Sequence, residues 1–477
     1  MKIEPHDLIV VGGGLAGLTA AVRSSELGLK VVVLEAGTAD RYLCNSRLAM
    51  GFFNVAFRDI WEGKEVLARA INAATAGTAA PDLVTALSEN VAHALGWLRS
   101  RGVRVIVGNW RPGSHAMLAP PAAIGAGLRW PGRGADQMLR RLEALLLAHG
   151  GSIVRGMRAR ELMMTNDRCV GVIAEAHTGR HEFTSRAVLI ADGGFQNSDD
   201  LLREFLTARP ESLLMRNAGT ARGDGLRMAR LVGAKIVETG NFYGHVQSAG
   251  ATRDPRLWPY PYLDNLIGAG LLLDTDGKRI ADEGLGGVFI ANAIARQNDP
   301  LGTFAVFDKA IWDVRARDFP LPANPLLAKT NAIIHRTDTL EALAEKVKVS
   351  ADRLLASVAE YNTAVSADAT KTLTPPRSTH ILRPMPIAEP PYFAVPAIAG
   401  VTYMMGGIAI DGHARVLRSD GGCIEGLYAA GSATGGHEGG ATIGYTGGLS
   451  KALTFGWCAA RTIAKNHEKA AVMHARQ

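Results

Sequence analysis

Cysteine is scarce. The four residues Cys44, Cys169, Cys423 and Cys458 form no CxxC or CxxCH unit. Structural zinc, iron–sulfur clusters and attached c-type haem need closer thiol spacing, so no metal site is expected. A reduced, cytoplasmic compartment is the expectation. No apolar run reaches the roughly 18 residues of a membrane-spanning helix, so no integral membrane segment is expected. The first residues enter an apolar strand by Leu8 without the zones of a signal peptide. The net charge is +7, but Lys and Arg are dispersed and form no basic run. Nucleic-acid binding is therefore not expected, and an anionic substrate or cofactor suits the charge equally well. Internal repeats and low-complexity segments are also missing.

At 477 residues and 47% hydrophobic composition, the chain fits two domains or one large one. Glycine is abundant, at 54 residues, and much of it lies in G-x-G and GG clusters. Such clusters suit close approach of backbone to a ligand. Asp7 to Val11 is a buried-strand run that ends in Gly12, Gly14 and Gly17, a G-x-G-x-x-G. Leu18 to Leu27 has helical spacing, Gly28 stops it, and Lys30 to Leu34 is a second apolar strand closed by Glu35. This is a complete β-α-β dinucleotide fingerprint, acid included. The glycines admit a pyrophosphate to the backbone, and the helix N-terminus offers it unpaired N–H groups. Ala16 and Ala36 flank these contacts.

Helices are expected over Pro81–Leu98 and Ala135–Ala148. Short strands follow at Ser152–Val154, Glu161–Met164, Cys169–Glu175 and His181–Thr184, and Ala187–Gly194 returns to the parallel sheet. From about Asn241 the texture changes, with WPYPY at Trp258–Tyr262 and a DTDG turn at Asp274–Gly277. A Pro-rich passage, RPMPIAEPPYFAVP, leads back out. The expected organisation is an α/β, Rossmann-like nucleotide-binding domain over residues 1–240 and 392–477. An α+β domain over 241–391 interrupts it.

The ordered set VVGGGLAGLTAA, NSRLAMGFFN, VLIADGGF, RGDGLRMA, LLLDTDGKRIADE, YMMGGIAID, GLYAAGSATGG and TGGLSKALTFGWCAA resembles flavoprotein subunits of the fumarate reductase and succinate dehydrogenase superfamily. The superfamily's tricarballylate and 3-ketosteroid dehydrogenase members are the nearer match. The resemblance implies FAD, held in a domain with a parallel sheet and a small β insert, with 241–391 as a capping domain over the flavin. It implies that Gly12, Gly14, Gly17 and Glu35 hold the pyrophosphate and adenosine ribose. Asn45, Ser46 and Gly51 would meet the flavin edge. Asp192, Gly193 and Asp224 would line the adenosine and ribityl side, with Gly431 beside them. Gly448 and Leu449 would begin a helix aimed at the pyrimidine end of the flavin, which favours the anionic reduced form.

Departures from that pattern bear on function. Asn45 stands where complex-bound members carry the histidine that links FAD, so the FAD is expected to be non-covalent. Ser432 replaces the glutamate of AAGE. The proton-donating arginine of fumarate reductases falls near Gly287, and their late arginine near Ile443. Their Thr-Glu pair falls near Tyr262 and Leu263, and their late histidine is Tyr403. The capping-domain histidine survives as His245. These changes disfavour a dicarboxylate reductase and favour dehydrogenation of a CH–CH bond next to a carbonyl or carboxylate. A base would take the α-proton and flavin N5 the β-hydride. His245, Tyr262, Tyr403 and His437 are the candidates for base and carbonyl donors. Tyr403 suits a carbonyl donor, or a base if its pKa were lowered. Each also has a plainer reading, as core cover (Tyr403), a structural loop residue (His245), a solvated loop residue (His437) or packing (Tyr262). Arg129 and Arg133 read as surface or phosphate-facing, and Cys44 as an inert thiol. The expected partners are a small carboxylic acid or ketone and an unspecified electron acceptor. A reductase or oxidase of the same fold, and a non-catalytic flavin-binding partner, remain as alternatives.

Overall fold

The computed structural model describes residues 6–111, 114–122, 125–318, 322–379 and 381–474. Its first elements are β1 (His6–Val11), α1 (Leu15–Glu26) and β2 (Val31–Glu35). Leu8, Ile9 and Val10 have no exposed surface, because the strand is covered on both faces. β1 pairs in parallel with β2 (Ile9 opposite Val32) and, on its other edge, with the strand Gly179–Ile190 (Ile9 opposite Val188). Cys423–Ala429 continues the parallel sheet beyond Gly179–Ile190, and Ser152–Arg155 continues it beyond β2.

The strand Gly179–Ile190 does two jobs. Its first half pairs antiparallel with Arg168–Ala176 in the small β insert, and its second half joins the parallel sheet. The sequence reading separates these halves into two strands. They form one strand, with no Gly, Pro, Asn or Asp between Thr184 and Ala187 to break it. The long helix Gly448–His474 packs on α1 at a point with no room for side chains: a Cβ on Gly456 would lie 2.3 Å from the Ala16 carbonyl oxygen.

A second sheet is built around Tyr392–Met404. This strand pairs antiparallel with Phe242–Ser248, Phe304–Asp308 and His335–Thr337, and in parallel with Leu214–Met215. Leu271–Leu273 extends the sheet beyond Phe304–Asp308. The boundary expected at residue 392 thus falls at the start of this middle strand. The Pro-rich passage before it, 383–391, is irregular and leads into the middle strand of the second sheet. Two helices, Leu340–Val347 and Ala351–Ser366, are separated at Lys348, whose φ is +60°. No helix among the described residues is long and apolar enough to cross a membrane.

Candidate active site

A cavity of about 510 Å³ runs from the β1–α1 turn to the second sheet. At the nucleotide end the three glycines divide their work. A Cβ on Gly12 would lie 2.6 Å from the Ala191 carbonyl oxygen, and one on Gly17 would lie 2.0 Å from that of Gly12. Both positions are closed by the fold itself. Gly17 does not line the cavity, so its assignment to the cofactor is corrected to one of helix–strand packing. A Cβ on Gly14 would meet only Ser46 Oγ, at 3.5 Å, and its open side faces the cavity. Ser46 Oγ accepts from Leu15 N at 3.0 Å and holds the helix start in place.

Glu35 accepts from Gly13 N at 2.8 Å and from Gly37 N at 2.7 Å. Burial raises its pKa against these two bonds. A carboxylate has about four lone-pair sites, so capacity remains for ribose hydroxyls. Asn45 donates to the Thr402 carbonyl at 2.8 Å and accepts from Ala218 N at 2.9 Å, joining three distant segments beside the cavity. Gly51 (φ +91°) carries its carbonyl to Leu118 N at 2.9 Å. Ala16, Ala36, Gly193, Gly431, Ser432, Gly448 and Leu449 also line the cavity.

Two lining side chains carry buried polar atoms without a partner. Asp192 Oδ2 accepts from Gly225 N at 2.7 Å, but Oδ1 has no partner, and burial pushes its pKa up to about 7. Gln196 is fully buried with neither amide atom bonded. Buried polar groups in proteins are nearly always satisfied, so these atoms fit a polar ligand such as the ribityl and phosphate parts of FAD. Asp224 also lines the cavity but is held by Arg158 through two bonds of 2.8 and 3.0 Å.

At the far end of the cavity, Phe242–Ser248 alternates, placing Tyr243 and His245 partly exposed and Phe242 and Val246 buried. His245 Nδ1 lies 2.6 Å from Asp264 Oδ2, and Nε2 lies 3.1 Å from the Tyr243 hydroxyl. Val246 N fixes the other carboxylate oxygen at 2.9 Å. The His245 ring stacks on Tyr262 at 4.0 Å, and Tyr243 stacks on Tyr445 at 4.2 Å. Arg216, 8% exposed, lies beneath this aromatic wall. It donates to the Tyr262 hydroxyl, to Thr402 Oγ1 at 2.8 Å and to the Pro259 carbonyl at 3.2 Å. Sequence reasoning missed Tyr243, Asp264, Arg216 and Tyr445. The alternation in FYGHV would have paired Tyr243 with His245; nothing local marks Arg216.

Of the four catalytic candidates, the fold brings His245, Tyr262 and Tyr403 to the cavity, but not His437. His437 is buried, with Nε2 3.2 Å from Thr434 Oγ1 and its ring edge-on to Phe455. Burial holds its pKa well below 6.5, so the expectation of a solvated loop histidine or a cavity base is corrected. Tyr403 donates its hydroxyl hydrogen to Glu438 Oε1 at 2.9 Å. Glu438 is paired at 2.6 Å with Lys451, and neither side chain is exposed. Burial and the neighbouring carboxylate raise the Tyr403 pKa well above 10, which removes the idea of a base with lowered pKa. Tyr262 is likewise held protonated by burial.

The two positions expected to replace family arginines lie away from the cavity lining. A Cβ on Gly287 would lie 1.8 Å from Asp264 Oδ2. Ile443 is buried at φ +54°, and Tyr445, two residues on, takes the place at the cavity wall. Arg129 and Arg133 do not line the cavity. Cys44 does, but burial pushes its thiol up to about 12, an inert group at neutral pH. No cluster that could hold a metal ion is present among the described residues.

A family model described as an FAD binding domain matches residues 7–448. NADH:acrylate oxidoreductase of Vibrio harveyi is 24% identical over 510 residues, covering 92% of this chain and 48% of that protein. The chain thus spans about half the length of that relative. A 4-oxocyclohexanecarboxylate 2-dehydrogenase of Sinomonas cyclohexanicum is 29% identical over 361 residues, covering 68% of this chain and 60% of that protein. Among solved structures, 3-ketosteroid delta1-dehydrogenase from Sterolibacterium denitrificans superposes with a TM-score of 0.77 at 20% identity, covering 97% of this chain and all of that one. That last likeness concerns the fold.

Proposed function

The chain belongs to the FAD binding domain family, and on that premise we propose that it is an oxidoreductase that dehydrogenates a C–C bond next to a carbonyl or carboxylate. The observation that carries this reading is the hydrogen-bonded chain Tyr243–His245–Asp264 on the cavity wall. Asp264 fixes the tautomer with the proton on Nδ1 and turns the Nε2 lone pair toward the Tyr243 hydroxyl. The phenol then passes its proton to Nε2 as it takes one from the substrate α-carbon, and the imidazolium that forms is stabilised by Asp264. Run backward, the same atoms deliver a proton to an unsaturated acid or ketone. Tyr262, held protonated, is assigned as donor to the substrate carbonyl. FAD, when bound, supplies the hydride acceptor. Asn45 has no imidazole for a covalent link, and both ends of its amide are engaged, so the cofactor is held non-covalently.

Two further observations support dehydrogenation over fumarate-type reduction. Asp264 fills the space that an arginine at 287 would need, and the late cavity position holds a phenol in place of a guanidinium. One relative is named for dehydrogenation of a ring ketone acid. The test is anaerobic mixing of the holoprotein with a panel of cyclic ketones and keto acids, reading loss of flavin absorbance. Bleaching by a saturated compound with formation of its α,β-unsaturated product is expected. Oxidation of reduced flavin by unsaturated acids alone would reverse the assigned direction.

A further inference from the structure

Among the cationic side chains that reach the cavity, Arg216 is the buried one without an acid partner. Arg158 is held by Asp224, and Arg222 is exposed at the nucleotide end. Deeper in the fold, Lys451 is held by Glu438 and His245 by Asp264. Arg216 is 8% exposed, and its three acceptors are all neutral: a carbonyl, a threonine hydroxyl and a phenol. Among the described residues it forms no ion pair. Asp264, whose field reaches it, is already bonded to His245 and to Val246 N.

A guanidinium has five N–H groups. Three are engaged here, which leaves two. Its carbon lies 4.8 Å from the Tyr262 ring centroid and 5.4 Å from that of Tyr260. The two ring centroids are only 5.4 Å apart, so both rings lie on one side of the guanidinium, and its two remaining N–H groups suit a carboxylate, which arginine binds through paired charge-assisted bonds. A buried charge with no counter-ion is unfavourable on its own. A ligand that brings the opposite charge removes that cost, and the protein then has a reason to keep the residue.

Building on the reading of this cavity as a substrate site, we propose that Arg216 binds a carboxylate of the substrate. The substrate class is a monocarboxylate whose apolar body lies against Tyr243, Tyr262 and Tyr445. Among the described residues, a second carboxylate would find no second buried cation without an acid partner at this end of the cavity. The anchor is held on Thr402 in the middle strand of the second sheet and on Pro259 in the loop before Tyr262. It therefore sits within one side chain of the Tyr262–His245 stack where the carbonyl is assigned.

The test uses the FAD-loaded protein with benzoate, and with benzamide as its neutral isostere. Binding is read from perturbation of the flavin spectrum and from calorimetry. Wild type should bind benzoate about 10- to 100-fold more tightly than benzamide, the span of a charge-assisted hydrogen bond. Arg216→Met should lose that preference, and Arg216→Lys, which keeps charge but not the planar fork, should keep part of it. Equal binding of the two probes by wild type, or no benzoate binding at millimolar concentration, overturns the proposal without help from any variant. So does a benzoate preference that survives Arg216→Met. Loss of FAD from both variants with native circular dichroism would move Arg216 to the cofactor and also overturn it. These outcomes are separate from the proposed reaction, which fails on absence of flavin bleaching by any ketone or acid.

Discussion

Gly287 and Asp264 compete for one space: a Cβ at position 287 would lie 1.8 Å from Asp264 Oδ2. The carboxylate that orients His245 is there because residue 287 has no side chain. Gly287→Ala should displace Asp264 and release the His245 ring. Overpacking of this kind costs about 1–3 kcal/mol. A lower melting temperature is expected, with slower substrate-driven flavin reduction and FAD content near wild type. An unchanged melting temperature and rate would show that Asp264 moves aside without consequence.

FAD should be released into the supernatant by acid precipitation, because Asn45 forms no covalent link. Gly14→Val should give folded protein without flavin, since position 14 is open in the fold and faces the cavity. Gly17→Val should fail earlier, at folding, because its side chain meets the Gly12 carbonyl at 2.0 Å. The FAD-to-protein ratio and circular dichroism separate the two cases. Stoichiometric FAD in Gly14→Val would contradict the placement of the cofactor.

Tyr403→Phe should act mainly on stability. Its hydroxyl is one of three groups that satisfy the buried Glu438, with Lys451 and Thr446 N. Loss of one bond to a buried charge costs about 1–3 kcal/mol. Denaturant unfolding should report that loss, and stopped-flow flavin reduction should slow by less than about tenfold. A rate loss on the order of 10²–10³, the signature of a missing oxyanion donor, would return Tyr403 to the chemistry.

The nucleotide end of the site was legible in the sequence because its contacts are local. Gly12, Gly14 and Glu35 lie within one β-α-β unit, where spacing alone sets geometry. The substrate end was legible only in part. Tyr243 and His245 share a strand face and follow from alternation, whereas Asp264 and Arg216 join them only through tertiary packing. The family's late arginine was aligned near Ile443, whereas Tyr445 is the residue at the cavity wall, since a loop rich in glycine gives no periodicity to count. The pairing of Tyr392–Met404 with four other strands was not legible for a related reason: it is non-local, and proline-rich sequence marks only the break before the strand.

His437 should make the protein acid-labile. Burial lowers its folded pKa below 6.5, so the unfolded state binds the proton more readily. The stability this gives is present above pH 6.5 and is lost as pH falls toward the folded pKa. Between pH 7 and 5 the melting temperature of wild type should therefore fall more steeply than that of His437→Gln, which cannot titrate. Parallel curves would show that His437 protonates in place without penalty.

In the proposed reaction a proton leaves the substrate through Tyr243, backed by His245 and Asp264. The most direct test is anaerobic stopped-flow reduction of the bound flavin by the best compound of the ketone and keto-acid panel, comparing wild type with Tyr243→Phe. The substitution removes one oxygen and keeps the ring stacked on Tyr445. Full FAD content, near-normal substrate binding and a reduction rate lower by about 10²–10⁴ are expected. Reduction of Tyr243→Phe at the wild-type rate would contradict this proton route.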